Sequence, residues 1–172
     1  MKEASQVRLL STRPARQASG FTLIEVLVAL LVLSLGLLGL AAMQAQGLRF
    51  NQSAYLRSQA TYMAYDIIDR MRANREAAIN GDYDWAMGTE PDSNQTCNST
   101  CTPAQLADFD LNTWQCTLGN WNDDTECQNL GITGVLPGGQ GAIERNGNEF
   151  TVTIRWNDRD DNVQDLSINT EI

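Results

Sequence analysis

Four cysteines are the residues of this 172-residue chain with the most readable chemistry: Cys97, Cys101, Cys116 and Cys127. An even number of cysteines in a domain that faces an oxidising compartment indicates two disulfides, and four cysteines allow three connectivities. A zinc site of four thiolates is the alternative. Such sites usually have paired C-x2-C spacings, whereas the intervals here are 3, 14 and 10 residues. The spacing therefore favours disulfides over a metal.

A single carboxylate, Glu25, lies in an otherwise uncharged apolar run from Phe21 to Met43. Roughly 20 apolar helical residues cross a hydrocarbon core of about 30 Å, so the run predicts a membrane span. An acid at the centre of a bilayer costs about 2.5 to 3.5 kcal/mol on insertion scales, and less near an interface. Glu25 is therefore either tolerated at the membrane edge or placed there for a partner, and the second interpretation is favoured because intramembrane acids usually mark functional sites.

Other catalytic and metal-binding patterns are weak or missing. The sequence contains no histidine, which excludes Ser/His/Asp and Cys/His catalysis and all histidine metal ligands. The stretch "DRDDN", residues 158–162, places acids as in the start of a calcium loop, but the glycine and the final glutamate of that loop are missing. A solvated turn explains it more simply. We expect no catalytic residue, no metal and no cofactor, and hence not an enzyme.

Charge is distributed unevenly along the chain. Residues 1–20 contain four basic residues and one acid, so that the remainder has 8 basic and 20 acidic residues and a net charge of -12. An acidic chain repels phosphates, which argues against a nucleic-acid partner. Basic residues before a span predict that the N-terminus stays in the cytoplasm and that the acidic bulk lies outside it.

A second helical pattern follows the apolar run. Leu56, Ala60, Met63, Ala64, Ile67 and Met71 repeat at the helical period and form one apolar stripe. Asp66 and Arg70 stand four residues apart in the favourable order for a surface pair. We expect one long helix from about Phe21 to near Asn80, ended by Asn80 and Gly81, with its second half packed on a head domain.

The remainder of the chain predicts a small antiparallel sheet. "TPAQLADFDLNTWQC", residues 102–116, predicts a short helix with Thr102 as N-cap. Strands are expected at 142–145 and 149–156, joined at Asn146-Gly147, and a third strand follows the turn at 157–162. Trp114 and Trp156 lie at periodic apolar positions, whereas Trp121 in "GNWNDDTE" is the best surface candidate. The fold class is therefore α+β: at least three antiparallel strands beside a long helix.

The stretch "GFTLIEVLVALLVLSLGLLGLAA" resembles the N-terminal signature of type IV prepilins and of type II secretion pseudopilins. The resemblance implies a pilin-like fold and removal of residues 1–20 as a leader. A prepilin peptidase and methyltransferase would cut between Gly20 and Phe21 and methylate Phe21. Glu25 would pair with the free N-terminal amine of a neighbouring subunit. The long helix would cover residues 21–80, with its transmembrane half at 21–43, and residues 81–172 would form a periplasmic head.

Two further stretches narrow the resemblance. "DIIDRMRANREAAINGDY", residues 66–83, and "LPGGQGAI", residues 136–143, resemble PilV-type minor pilins. This implies a tip or priming complex with other minor pilins and the major pilin, built by inner-membrane assembly machinery and supporting twitching motility and adherence. A minor pseudopilin of a type II secretion system is the alternative, and a membrane-anchored adhesin that binds a ligand through its tryptophans is a third possibility.

The same resemblance bears on the cysteines. PilV-type sequences run quickly from a tryptophan like Trp114 to an LPGG-like turn, whereas about 20 residues, from Cys116 to Gly134, intervene here. The comparison implies an insertion with a bridge of its own. We therefore prefer Cys97 with Cys101 and Cys116 with Cys127, although a crossed pairing is compatible with the same count.

Overall fold

A computed structural model describes residues 20–92, 97, 100–159 and 162–172, so residues 1–19 of the expected leader lie outside the described part. The chain divides into two compact units, Met1–Ala45 and Gln46–Ile172. Its architecture is α+β, as predicted. The elements are α1 (Leu23–Ala73), α2 (Arg75–Asn80), α3 (Pro103–Leu118), α4 (Thr125–Asn129), β1 (Gln140–Asn146), β2 (Glu149–Asn157) and β3 (Val163–Glu171).

The first unit is the N-terminal part of α1, and every residue described in it, from Gly20 to Ala45, is exposed. Large apolar side chains cover it on all sides; Leu23, Leu31 and Leu38, for example, are 86%, 59% and 67% exposed. By length and composition this stretch could cross a membrane. Among its described residues, no contact with the rest of the chain shields this apolar surface from water.

In the second unit α1 buries one stripe. Its buried residues are Leu56, Ala60, Met63, Ala64, Ile67, Ile68 and Met71. This is the predicted stripe with Ile68 added, and the predicted Asp66–Arg70 pair is present at 3.0 Å. The stripe packs into a core shared with α3 and the sheet.

The predicted single helix to Asn80 is corrected in one respect, because it is interrupted at Asn74. The backbone of Asn74 leaves the helical region, with φ -112° and ψ 54°. Its side-chain amide donates to the carbonyl of Pro103 at 2.7 Å and to the hydroxyl of Tyr83 at 3.3 Å. Asparagine readily exchanges helical geometry for such contacts. The helix resumes as α2 and ends at Asn80, where Gly81 adopts a left-handed φ of 93°, which glycine tolerates best.

The sheet has the strand order β1-β2-β3 and is antiparallel throughout. β1 and β2 are joined by a two-residue turn at Gly147 and Asn148, one residue later than the predicted Asn146-Gly147, and Gly147 has a φ of 66°. Alternation along β2 sends four side chains into the core and the others to the opposite face: Phe150, Val152, Ile154 and Trp156 are the buried ones. β1 extends beyond the predicted 142–145 at both ends, β2 extends one residue beyond the predicted 149–156, and β3 follows the turn at 157–162 as expected.

Helix α3 is the element that joins α1 to the sheet. It begins with a capping box in which Thr102 and Gln105 bond each other's backbone, and Pro103 occupies the first turn. Trp114 donates its indole N–H to the carbonyl of Met63 in α1 at 3.0 Å. The next residue, Gln115, bonds both backbone groups of Gly141 in β1, at 3.1 and 3.4 Å. A side chain at Gly141 would collide with the Trp114 ring, so a glycine is required there.

Candidate assembly site

Glu25 lies in the first turn of α1, and its local geometry adds a role that the sequence analysis missed. Thr22 precedes the helix, and its hydroxyl accepts the backbone N–H of Glu25 at 3.3 Å. This is one arm of a capping box, whose sequence signature T-x-x-E is present at Thr22 and Glu25. The partial positive charge of a helix N-terminus favours a carboxylate at this position. The helix start therefore fixes where the acid lies on the apolar segment.

The surface around Glu25 is apolar and open. Phe21, 84% exposed, and Glu25 border a shallow hollow whose remaining walls are Val26, Ala29, Leu30 and Leu33. Within the described residues of this unit no other charged side chain occurs between Phe21 and Ala45. The carboxylate is thus a single polar group on an apolar surface, which is the arrangement of a charge that needs a partner when the surface is covered.

The second unit contains a polar cluster of a different kind, fully provided with partners. Asp110 in α3 accepts a hydrogen bond from the Tyr83 hydroxyl at 2.6 Å and an ion pair from Arg70 at 3.2 Å. Arg70 also pairs with Asp66, and Asn74 donates to Tyr83. Burial, and next the bond to Asp110, raise the pKa of the Tyr83 hydroxyl above its usual range. The cluster fixes α1 and α3 to the segment after α2, and it is a structural network because every member is satisfied.

The described part of the turn between β2 and β3 is fixed to α1. Asp158 accepts the Ser53 hydroxyl at 2.8 Å, and Arg159 donates to Gln52 at 2.6 Å. The hydrogen bond from the Arg159 backbone N–H, and next the bond from the Ser53 hydroxyl, lower the pKa of Asp158. Asp160 and Asp161 of the considered calcium loop lie outside the described residues. Among the described residues no group of three or more acidic, cysteine or histidine side chains could hold a metal ion.

Both preferred disulfides are present. Cys97 bonds Cys101, and Cys116 bonds Cys127. The second bridge joins Cys116 in α3 to Cys127 in α4, a helix that the sequence analysis did not predict. Asp124 caps α4 through the backbone N–H of Glu126 at 2.8 Å, a signal that was readable from the residue type alone.

The tryptophans are placed largely as expected. Trp114 and Trp156 are buried in the core, 1% and 3% exposed. Trp121, the expected surface candidate, is only partly exposed, and its indole nitrogen is buried with no acceptor among the described residues. Trp85 is also half-buried against the core. No open row of tryptophan rings is therefore formed by these four residues.

The two groups of residues singled out from sequence lie in different units. Gly20, Phe21 and Glu25 are at the N-terminal end of the exposed apolar helix, whereas the four cysteines are in the second unit. The described residues of the first unit expose apolar surface that suits association. Those of the second unit form a core and two disulfides that stabilise its own fold. The sequence analysis missed Thr22, and the T-x-x-E spacing could have identified it.

Two protein-family models match adjoining segments of the chain. Residues 15–41 match the prokaryotic N-terminal methylation motif, and residues 42–112 match the family model "Type IV pilin Tt1218". No curated protein and no solved structure matches the chain. The motif implies processing by a prepilin peptidase and assembly into pili with other pilins, and the N-terminal apolar helix fits membrane anchoring before assembly. Pilins are structural proteins. These two adjoining matches, together with a fold of a long N-terminal helix and a small antiparallel sheet, support a type IV pilin.

Proposed function

We propose that this pilin is a minor pilin of the PilV type, which joins other minor pilins and the major pilin in a tip or priming complex. Inner-membrane assembly machinery would add it to the pilus, where it supports the start of assembly, twitching motility and adherence. Before assembly, residues 21–43 span the inner membrane and the head, residues 81–172, lies in the periplasm. Residues 1–20 are the leader, cut between Gly20 and Phe21, and the new N-terminal Phe21 is methylated.

One observation carries the proposal: the first part of α1 is apolar in composition and yet fully exposed. From Leu23 to Ala45 no side chain is buried within the chain, and nearly every one is apolar. Such a surface is stable only in lipid or against other apolar helices. A protein that moves from a membrane into a fibre needs a surface suited to both.

Glu25 supplies the specific contact in this proposal. Cleavage after Gly20 creates a positive amine at Phe21, and a neighbouring subunit offers the Glu25 carboxylate at the same helix end. At 4 Å, two opposite charges attract by about 4 kcal/mol at an effective dielectric constant of about 20. The capping bond from Thr22 holds the first turn of α1 and so limits where the carboxylate can lie. The pair would therefore set the axial position of one helix against the next.

Replacement of Glu25 tests the charge pair, because the capping bond to Thr22 uses the backbone N–H of residue 25 and is kept in every variant. Glu25→Gln keeps the size of the side chain and its hydrogen-bonding groups but removes the charge, and Glu25→Leu removes both. We expect both variants to insert in the membrane at normal levels and neither to enter sheared pili, as measured by immunoblotting of membrane and pilus fractions. Normal incorporation of Glu25→Gln would contradict the charge pair.

Two further measurements test the remaining parts. Mass spectrometry of the mature chain should find N-methylated phenylalanine at position 21, and a chain that begins at Met1 would contradict the processing. Deletion of the gene, with surface pili and type II secreted proteins counted together, should reduce pili and leave secretion unchanged. Loss of secretion with normal pili would assign the chain to a type II secretion system instead.

A further inference from the structure

The two edges of the three-stranded sheet differ in how their outward backbone groups are satisfied. On β1, Ile143 exchanges two backbone hydrogen bonds with Trp85, at 2.9 and 3.0 Å. Two residues earlier, the side-chain amide of Gln115 bonds the N–H and the carbonyl of Gly141. The backbone of Trp85 and the side-chain amide of Gln115 thus make the hydrogen bonds that a neighbouring strand would make. The β1 edge is therefore covered at Gly141 and Ile143.

The β3 edge has no such cover. In an antiparallel ladder, backbone groups point alternately to one neighbour and to the other. Because Ile143 bonds outward to Trp85, its partner Val152 and the other even-numbered residues of β2 bond towards β3. The odd-numbered residues of β3 therefore direct their N–H and carbonyl groups away from the sheet. Among the described residues, no backbone partner is recorded for those groups of Asp165, Ser167 and Asn169.

The side chains of β3 fit a further strand on both faces. On the core face Leu166 and Ile168 pack against the core but remain partly exposed, so the apolar layer continues to the edge. On the opposite face Asp165 is held by Arg155 at 2.8 and 3.0 Å, and Ser167 lies 3.0 Å from the Thr153 hydroxyl. The pairing of β3 is unbroken over nine residues and includes no proline, lysine or bulge. Its charged residues are Asp165, which is paired with Arg155 of β2, and Glu171 at the end of the strand.

We propose that the β3 edge binds an extended segment of a different protein, which adds to the sheet as a fourth strand. The partner strand has apolar residues at every second position, beside Leu166 and Ile168, and neutral or basic residues between them, beside Asp165 and Glu171. Main-chain hydrogen bonds supply the affinity of this mode of recognition, and the alternating side chains supply its specificity. The net charge of the chain, -9, also favours a neutral or basic partner.

A second copy of this chain is a poor occupant for a geometric reason. The turn before β3 contacts Ser53, and Thr170 near its end accepts a hydrogen bond from Arg72 at 2.8 Å. β3 therefore runs in the same direction as α1. Symmetric pairing of two β3 edges is antiparallel, and it would point the two α1 helices in opposite directions. Chains anchored alike in one membrane cannot meet in that way; this step rests on the proposed anchoring, whereas the open edge does not.

The test uses the full chain in detergent and two fluorescent nine-residue peptides. One peptide alternates valine with lysine or threonine; the other has proline at the residues whose N–H groups would face β3. We expect the first peptide to bind and to slow amide exchange at Asp165, Ser167 and Asn169 by about tenfold or more, while the amides of Leu166 and Ile168 are protected throughout. The proline peptide should do neither.

Paired variants at one position test the backbone directly. Ser167→Pro removes an outward N–H without removing a bond to β2, and it should weaken peptide binding by about tenfold or more. Ser167→Ala keeps the backbone and should bind within about twofold of the unchanged chain. The exchange measurement on the unchanged chain needs no variant, so it decides the question if Ser167→Pro fails to fold.

Two outcomes would overturn the proposal. Peptide binding without slower exchange in β3 would place the site elsewhere. Protection of Asp165, Ser167 and Asn169 in the protein alone, rising with protein concentration, would show that a second copy covers the edge. Both outcomes are independent of whether Glu25 is required for pilus incorporation, so failure here can be distinguished from failure of the proposed function.

Discussion

The two parts of helix α1 are alike in secondary structure and opposite in their partners. From Leu23 to Ala45 the helix is apolar on every side and buries nothing. From Gln46 to Ala73 it buries one stripe, and its exposed residues include charged and polar side chains as well as apolar ones such as Leu48 and Phe50. The second part finds its apolar partners within its own chain. The first part has to find them elsewhere, in lipid or in other subunits. One continuous helix can therefore serve folding at one end and association at the other.

The polar groups of the two parts differ in the same way. In the second part Arg70 has two carboxylate partners, Asp66 and Asp110, both within the chain. In the first part the backbone N–H of Glu25 donates to the Thr22 hydroxyl, and the Glu25 carboxylate forms no ion pair among the described residues. A charge without an internal partner is an expected feature of a surface that associates.

The largest expected effect on the free energy of unfolding comes from shortening an apolar side chain, and it should differ between the two parts of α1. Ile67 is fully buried, so Ile67→Ala should lower the free energy of unfolding of the head by about 2 to 5 kcal/mol, through lost burial and the cavity left behind. Leu31, 59% exposed, should have no such effect: Leu31→Ala should change it by less than about 0.5 kcal/mol. Near-UV circular dichroism of the buried tryptophans, followed during urea unfolding in detergent, measures both. Equal effects of the two substitutions would contradict the claim that only the second part of α1 stabilises the head.

A smaller effect is expected from the polar cluster. Asp110→Ala leaves the buried Tyr83 hydroxyl without its acceptor and Arg70 with one partner fewer, and it should destabilise the head by about 1 to 3 kcal/mol. In a Tyr83→Phe background the same change should cost less, because the unsatisfied hydroxyl is gone. Equal costs in both backgrounds would show that Tyr83 and Asp110 are not coupled. Glu25→Ala, the matched loss of an acid in the first part, should leave head stability unchanged.

The smallest expected effect on head stability near neutral pH comes from the ionisation of Tyr83. Burial, and then the bond to Asp110, raise the pKa of its hydroxyl above the usual value of 10.0. A raised folded pKa means that the stabilising contribution is complete below the pKa of the unfolded chain and is lost as pH rises through the folded value. Head stability should therefore be insensitive to this group below about pH 10 and fall above it. The comparison is the Tyr83→Phe variant, whose stability should fall less steeply above about pH 10; identical curves would contradict the assignment.

Prediction from sequence succeeded where a signal is local or periodic. The apolar run, the helical stripe ending at Met71, the Thr102 cap and the hairpin turn between β1 and β2 each depend on residues close together in the chain. Each is present in the structure, and the turn lies one residue later than predicted. The break at Asn74 was missed because its cause is Pro103, 29 residues away. Helix α4 was missed because five residues give too short a period to read.

The sequence by itself determined that the chain has an apolar N-terminal helix with one acid, a second amphipathic stretch, two disulfides by count and a small antiparallel sheet. It did so because hydrophobic periodicity and turn chemistry act over a few residues. Only the tertiary structure decided which polar groups are satisfied within the chain. Gln115 and Trp85 cover the β1 edge from distant positions in sequence, while the β3 edge stays open. Such cover depends on which segments the core brings together, and that is a property of packing rather than of local sequence.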